Sequence, residues 1–380
     1  MLQSFKAKNF RRFSSVSVRD LKAFNLLAGL NGSGKTSFLE ALFLLSGANN
    51  ASLLLALCTW RGDVAFNPEV DYPIRSFFRN LDVNHAIELS GTDRNSGTKK
   101  KSRTLKIVPI LGTAGDSTGS ATRKLVRGAK LSYRSNRIKA DGSVEWRHTA
   151  PTIPFESSQL ISGSPGTELV ARPVATQSDR SLQLVPSGEQ TKDIIPGHFI
   201  SPRYQNPAEQ TGRQLNSAVK EKRIEEIIAL MMEIEPRIKD IVPLGEFGRT
   251  LVYVDIGLTQ LVPLSVLGSG FVNYLRICLS CLAVPGGILL IDEIEGGIHH
   301  SLMKPLLTFL LKQSIERDTQ IFASTHSDEI IKEFYEVTRE LNTKDVCALK
   351  FQQKEKTTSV RNYRYNDLML ASEIHLEIRG

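Results

Sequence analysis

Gly29-Leu30-Asn31-Gly32-Ser33-Gly34-Lys35-Thr36 follows the apolar run Phe24-Asn25-Leu26-Leu27-Ala28 and opens a segment, Thr36 to Leu45, with apolar residues at helical spacing. It fits G-x-x-x-x-G-K-[ST] in full, in the strand–loop–helix context that the pattern requires. The glycines let the backbone curl so that successive N–H groups face phosphate oxygens, and the helix N-terminus adds partial positive charge. Lys35 is expected to reach the β- and γ-phosphates of ATP and the Thr36 hydroxyl to ligate Mg²⁺. The expected nucleotide-binding set is Asn31, Gly32, Ser33, Gly34, Lys35, Thr36 and Ser37.

Two later stretches belong with this loop. Gly287-Ile288-Leu289-Leu290-Ile291-Asp292-Glu293 reads as a buried strand ending in two acids, which sets Asp292 at a sheet edge where Mg²⁺ is held. Glu293 has the reach to polarise a water for in-line attack. Gln320-Ile321-Phe322-Ala323-Ser324-Thr325-His326-Ser327 reads as another buried strand followed by a histidine, a candidate sensor of the γ-phosphate.

Working outward, Leu2 to Ala7 alternates at period two, as a strand does. Phe38 to Cys58 reads as two helical pieces broken at Ser46–Asn50, not as a membrane span. Between Asn84 and His148, alternating stretches separated by Gly, Ser and Asn (His85–Leu89, Thr104–Leu111, Ala129–Arg134, Val144–His148) predict antiparallel hairpins. Pro151 to Pro196 is rich in Pro, Ser, Thr and Gly and reads as a long irregular connection. Helix returns at Pro207–Glu235, a hairpin follows (Thr250–Asp255, Leu261–Leu264), and from Val266 helices alternate with apolar strands, the pattern of a largely parallel sheet. The implied division is an α/β core in two parts, 1–83 and 198–335, interrupted by a β-rich insertion at 84–197 and followed by a C-terminal extension at 336–380.

At the level of composition, 380 residues with 41% hydrophobic and 23% charged residues exclude disordered, collagenous and disulfide-scaffold classes. Four scattered cysteines, with no signal peptide or apolar span, point to a reducing compartment and a cytoplasmic protein without a membrane role. Cys278-Leu279-Ser280-Cys281 lacks a second pair and is expected to be core packing. The net charge is +8, yet Arg94 to His148 alone carries 14 Lys and Arg against three acids. Such concentration fits contact with a phosphate backbone, sequence-tolerant because no base-reading module is present. The candidate contacts are Lys99, Lys100, Lys101, Arg103, Arg123, Lys124 and Arg127. A protein-docking or solubilising face remains the alternative.

Together with Leu267-Gly268-Ser269-Gly270 and Ile291-Asp292-Glu293-Ile294-Glu295-Gly296-Gly297-Ile298-His299, these motifs resemble the ABC-type ATPases of the RecF/SMC/OLD branch, above all the AAA-annotated, AbiEii-like and PtuA-like ATPases of prokaryotic defence systems. The opening Asn9-Phe10-Arg11-Arg12-Phe13 is similar to the start of that branch. The resemblance covers residues 1–50 and 198–335. It implies an ABC-type P-loop core with a mainly parallel sheet, a helical segment and, here, the antiparallel β-rich insertion. It also implies catalytic roles for Glu293 and His326, Mg²⁺ on Thr36 and Asp292, and Gly268, Ser269 and Gly270 as signature residues acting on a second subunit's ATP. Gly296 to His299 would be the D-loop, and Gln205 a candidate Q-loop residue. Leu-Gly-Ser-Gly-Phe departs from the transporter signature, and only about fifty residues follow His326, too few for a Toprim nuclease domain.

The implied function is an ATP-hydrolysing homodimer or higher oligomer that controls a separate effector, such as a nuclease, in an anti-phage or toxin–antitoxin-like system. The alternatives are a RecF-like DNA repair ATPase and a slowly hydrolysing, nucleotide-locked scaffold.

Overall fold

The computed structural model describes residues 1–47, 50, 52–61, 73–94, 101–114, 123–138, 144–149, 152–154, 194–202, 207–246, 249–354 and 357–373. The first half of the chain carries β1 (Leu2–Phe10), β2 (Phe13–Arg19), β3 (Phe24–Ala28), α1 (Lys35–Ser46), α2 (Ser52–Arg61), β4 (Ile87–Asp93), β5 (Ser102–Ala114), β6 (Arg123–Ile138), β7 (Val144–Thr149) and β8 (Thr152–Pro154). Then come β9 (Gly197–Ile200), α3 (Pro207–Lys220), α4 (Ile224–Ile234), β10 (Asp240–Glu246), β11 (Arg249–Asp255), β12 (Val262–Pro263) and α5 (Ser269–Leu282). The chain continues with β13 (Ile288–Ile291), α6 (Met303–Glu316), β14 (Gln320–Ser324), α7 (Asp328–Glu340), β15 (Val346–Lys354), β16 (Thr357–Arg364) and α8 (Tyr365–Glu373).

All five residues of β3 are buried, the requirement for a parallel strand covered on both faces. It lies inside a six-stranded sheet of order β16-β15-β3-β14-β13-β9. Every neighbouring pair from β15 to β9 is parallel, and β16 returns antiparallel on β15. Alternate side chains divide between two cores. Phe24, Leu26 and Ala28 join Leu289, Ile291 and residues of α5, α6 and α7, whereas Leu27, Leu290 and Phe322 face α1.

A second, seven-stranded antiparallel sheet has the order β2-β1-β4-β5-β6-β7, with β8 paired to β6. The stretches expected as hairpins are its strands. Because β4 pairs with β1, the N-terminal hairpin and strands β4 to β8 belong to one sheet. Its inner face, with Phe5, Ala7, Val16, Leu89, Leu105, Ile107 and Leu131, covers α1 from the side opposite the parallel sheet. That is why α1 is apolar around its circumference and buried from Ser37 to Ser46. Phe38 touches Phe5 at a 5.0 Å centroid distance on one side and Phe351 at 5.3 Å on the other. Each such side chain contributes about 1.5–3 kcal/mol through burial. One carboxylate is enclosed with them: Glu40 is ion-paired to Arg11 at 3.1 Å and to Arg61 at 2.5 Å, and the Arg11 guanidinium lies over the Phe77 ring.

Five of the described strands are absent from the sequence reading: β2, β8 (inside the stretch read as irregular), β10, β15 and β16. Asp240–Glu246, interrupted by Pro243 and Gly245, pairs along its whole length with β11. Val346–Lys354, set apart above as part of an extension, lies beside β3 in the parallel sheet. The Pro/Ser/Thr/Gly-rich connection is outside the described residues from 155 to 193, as is Gln205. Among the described residues, no helix is long and apolar enough to cross a membrane.

Candidate nucleotide site

The loop between β3 and α1 closes on Gly34, whose φ of 109° is left-handed and whose absent side chain leaves room for the Phe13 ring. The turn between β1 and β2 lies against the same loop. The Arg12 guanidinium comes up to Gly32 and donates to Gln353 on β15. The Asn9–Phe13 opening therefore belongs to the phosphate loop's surroundings.

Lys35 is buried and its ammonium donates to the Gly29 carbonyl at 2.6 Å and the Leu30 carbonyl at 3.1 Å. The Ser33 hydroxyl is buried without a hydrogen-bond partner. A loop with an orphaned hydroxyl, a cation held by its own carbonyls and a helix N-terminus has the donor set that phosphate oxygens require.

Parallel pairing of β3, β14 and β13 sets their C-terminal ends side by side, and the chemistry gathers there. The Thr36 hydroxyl lies 3.0 Å from both Oδ1 and Oδ2 of Asp292, which is 3% exposed. Ser324, quoted above only as part of a motif, links the two acids. Its hydroxyl donates to Asp292 Oδ1 at 2.7 Å and accepts the backbone N–H of Glu293 at 2.9 Å. Glu293 itself sits at φ 53°, a left-handed conformation that a non-glycine residue adopts at a cost of about 1–3 kcal/mol. Sequence reading missed Ser324 because its role depends on a neighbouring strand 31 residues away.

His326 follows β14, and its Nδ1 lies 3.0 Å from Oε1 of Glu295, three residues after Asp292. The same Oε1 accepts the His326 backbone N–H at 2.9 Å and the Thr325 hydroxyl at 3.0 Å.

The signature residues lie at the exposed start of α5. Gly270 packs so closely on the Gly297 carbonyl that a Cβ there would come within 3.0 Å of it. Asn273 donates to the Gly296 carbonyl at 2.8 Å, so the signature helix is seated on the 293–299 turn.

The basic candidates separate. Arg103 is a correction: it points inward, 3% exposed, and is ion-paired with Asp93, because odd-numbered residues of β5 from Arg103 to Ile107 face the core. Lys101 is half-buried, while Lys99 and Lys100 fall outside the described residues. Arg123, Lys124 and Arg127 lie on β6, with side chains outside the described set. Among the described residues, exposed positive charge on this sheet is carried by Lys106, Lys130 and Arg134, with Lys6 on β1 and Arg19 on β2. Cys278 and Cys281 are buried within α5, and burial pushes the Cys281 thiol up to about 12, so both stay protonated as core residues.

A family model described as "AAA domain, putative AbiEii toxin, Type IV TA system" matches residues 176–332, taking in Ser269, Asp292, Glu293 and His326 but not the phosphate loop. The chain is 24% identical over 368 residues to an "ATP/GTP phosphatase" of Helicobacter pylori (strain ATCC 700392 / 26695), covering 90% of this chain and 89% of that one. Among solved structures it aligns with the Smc head bound to the C-winged helix domain of ScpA (12% identity, 97% of this chain and 99% of the other, TM-score 0.48). It also aligns with the Smc head domain with an extended coiled coil bound to the C-terminal domain of ScpA from Pyrococcus furiosus (11% identity, 99% of each chain, TM-score 0.46).

Proposed function

We propose that this ABC-type, SMC-like P-loop ATPase core binds MgATP on the Gly29–Thr36 loop, pairs with a second copy across it, and uses hydrolysis to control a separate effector, such as a nuclease, in an anti-phage or toxin–antitoxin-like system. The observation that carries the catalytic part is the convergence of Thr36, Asp292, Ser324 and Glu293 at the ends of three adjacent parallel strands. Lys35 exchanges its two loop carbonyls for the β- and γ-phosphates. Thr36 and Asp292 offer a hydroxyl and a carboxylate, hard oxygen donors suited to Mg²⁺, which neutralises phosphate charge when bound. Glu293 accepts a proton from the attacking water, its backbone pinned by Ser324. His326 meets the γ-phosphate from the neighbouring strand. Gly268 and Ser269, exposed at the start of α5, and the half-buried Gly270 complete the ATP site of the other copy. The matched family's description supports the toxin–antitoxin setting, and four buried free thiols fit a cytoplasmic protein.

Lys35→Ala should abolish ATP binding. Glu293→Gln should keep it while slowing hydrolysis by roughly 10²-fold or more, and with ATP it should show a mass shift in light scattering. Equal turnover in wild type and Glu293→Gln, or a nucleotide-indifferent monomer, refutes this reading. Co-purification of the native complex identifies the effector.

The exposed basic residues of the antiparallel sheet favour a second reading, sequence-tolerant nucleic-acid binding as in a RecF-like repair ATPase. Replacing Lys106, Lys130 and Arg134 by Ala should weaken DNA binding and lower its salt slope by about 0.9 per lost phosphate contact, with ATP turnover unchanged. Unaltered binding would remove this reading.

A further inference from the structure

The geometry points to Glu295 as the positioning residue that fixes His326 and ties γ-phosphate sensing to the turn carrying Glu293. This rests on the ATPase reading above but invokes a residue that reading does not use. Glu295 Oε1 accepts two hydrogen bonds from one neighbouring strand end, from Thr325 Oγ1 at 3.0 Å and the His326 N–H at 2.9 Å, and lies 3.0 Å from the His326 ring Nδ1. A carboxylate oxygen that close to Nδ1 repels a lone pair and attracts a proton there, which favours the Nδ1-protonated tautomer and leaves Nε2 as the nitrogen available to a phosphate.

The side chain is well sheltered for a carboxylate, at 17% exposure, and its other oxygen, Oε2, is buried without a hydrogen-bond partner. Burying an unpaired carboxylate oxygen is costly, about 1–3 kcal/mol or more. A purely structural residue at this position would gain nothing from the charge, since a glutamine could satisfy the same donors.

Glu295 also occupies the turn that begins at Glu293. Gly296 N donates to Glu293 O at 2.8 Å, Ile298 N to Glu295 O at 3.0 Å, and Ile294 N to Ser324 O at 3.0 Å. The far side of the turn is the seat of α5, through Asn273 on Gly296 and the close approach of Gly270 to Gly297. A shift of His326 toward a phosphate therefore draws on the segment that holds both the general base and the signature helix.

Two measurements test this. Long-range ¹H–¹⁵N spectra of His326 in the nucleotide-free protein should show the Nδ1-protonated tautomer in wild type and the Nε2-protonated or mixed form in Glu295→Ala. In steady-state turnover, Glu295→Ala and His326→Ala should each lower kcat about 10- to 100-fold with the KM for ATP within two-fold, the range seen when a partner that orients a functional histidine is removed. The double variant should be no worse than either single one, and Glu295→Gln, which keeps an acceptor but not the charge, should fall between wild type and Glu295→Ala. An unchanged tautomer in Glu295→Ala, or losses that multiply in the double variant, overturns the proposal. Because the spectra need no turnover, they decide the matter even if hydrolysis proves independent of Lys35, the result that would sink the ATPase reading instead. Thermal melting within a few degrees of wild type separates the effect from misfolding.

Discussion

Gly270→Ala puts one methyl group into the tightest backbone contact around the proposed signature. The Gly297 carbonyl lies within 3.0 Å of where the Cβ would be, and the obstacle is backbone, not a side chain that can swing aside. Comfortable contact requires the 293–299 turn and the first turn of α5 to separate by about 1 Å. The turn resists because Gly297 at φ 72° and Glu293 at φ 53° already hold it in a narrow conformation. Overpacking costs about 1–3 kcal/mol, and alanine in place of glycine within a helix returns about 0.5–1 kcal/mol, so the protein should lose about 0–2.5 kcal/mol and still fold. Catalysis should suffer more, because a misplacement of about 1 Å at a reacting centre costs on the order of 10²-fold. The turn being displaced carries Glu293 and Glu295, while Lys35 and Thr36 belong to another element. The expected result is a 10²-fold lower kcat with ATP affinity within two-fold, measured by turnover and by binding of a fluorescent ATP analogue. Full turnover in a folded Gly270→Ala protein would refute the coupling of α5 to the base.

Two further outcomes follow from groups described above. Ser324→Ala removes the hydroxyl between Asp292 and Glu293, leaving the Glu293 N–H without its acceptor, so stability should drop by about 1–3 kcal/mol and turnover with it; thermal melts and kcat identical to wild type would count against that link. His198 on β9 accepts from Gln214 through Nδ1 at 2.9 Å, and burial pushes its pKa down to about 4 from an ordinary 6.5. The unfolded chain therefore takes up this proton first, so stability should fall as the pH drops from 6.5 toward 4, by at most about 3 kcal/mol, and change no further from this group below that. Denaturant titrations across that window should show a shallower pH dependence in His198→Gln, and an identical slope would contradict the assignment.

The phosphate loop, the two acidic positions, the histidine and the strands that carry them were legible in the sequence because each is a local signal. A glycine at a left-handed turn, a fully apolar five-residue run and a lysine at a helix start constrain their own backbone within a few residues. The alternation between residues 84 and 148 likewise announced antiparallel strands. What those strands join was not local. β4 pairs with β1 across some eighty residues, and β15 settles beside β3 from the far end of the chain, pairings that no window of periodicity contains. Their consequence is the all-round burial of α1, which brings Glu40 and its two arginines into the core. Charge showed the same division. Counting lysines and arginines located a basic segment correctly, but the pleat, set by pairing with β4 and β6, turned Arg103 inward to Asp93 and left Lys106 outward. Ser324 and Glu295 take their parts only because parallel packing of β13 and β14 sets the strand ends side by side, so that a hydroxyl can bridge two acids and one carboxylate can hold a histidine from the adjoining strand. Sequence alone named the candidate residues; the register between distant strands decided which of them share hydrogen bonds, because distances near 3 Å are set by packing across the sheet and not by spacing along the chain.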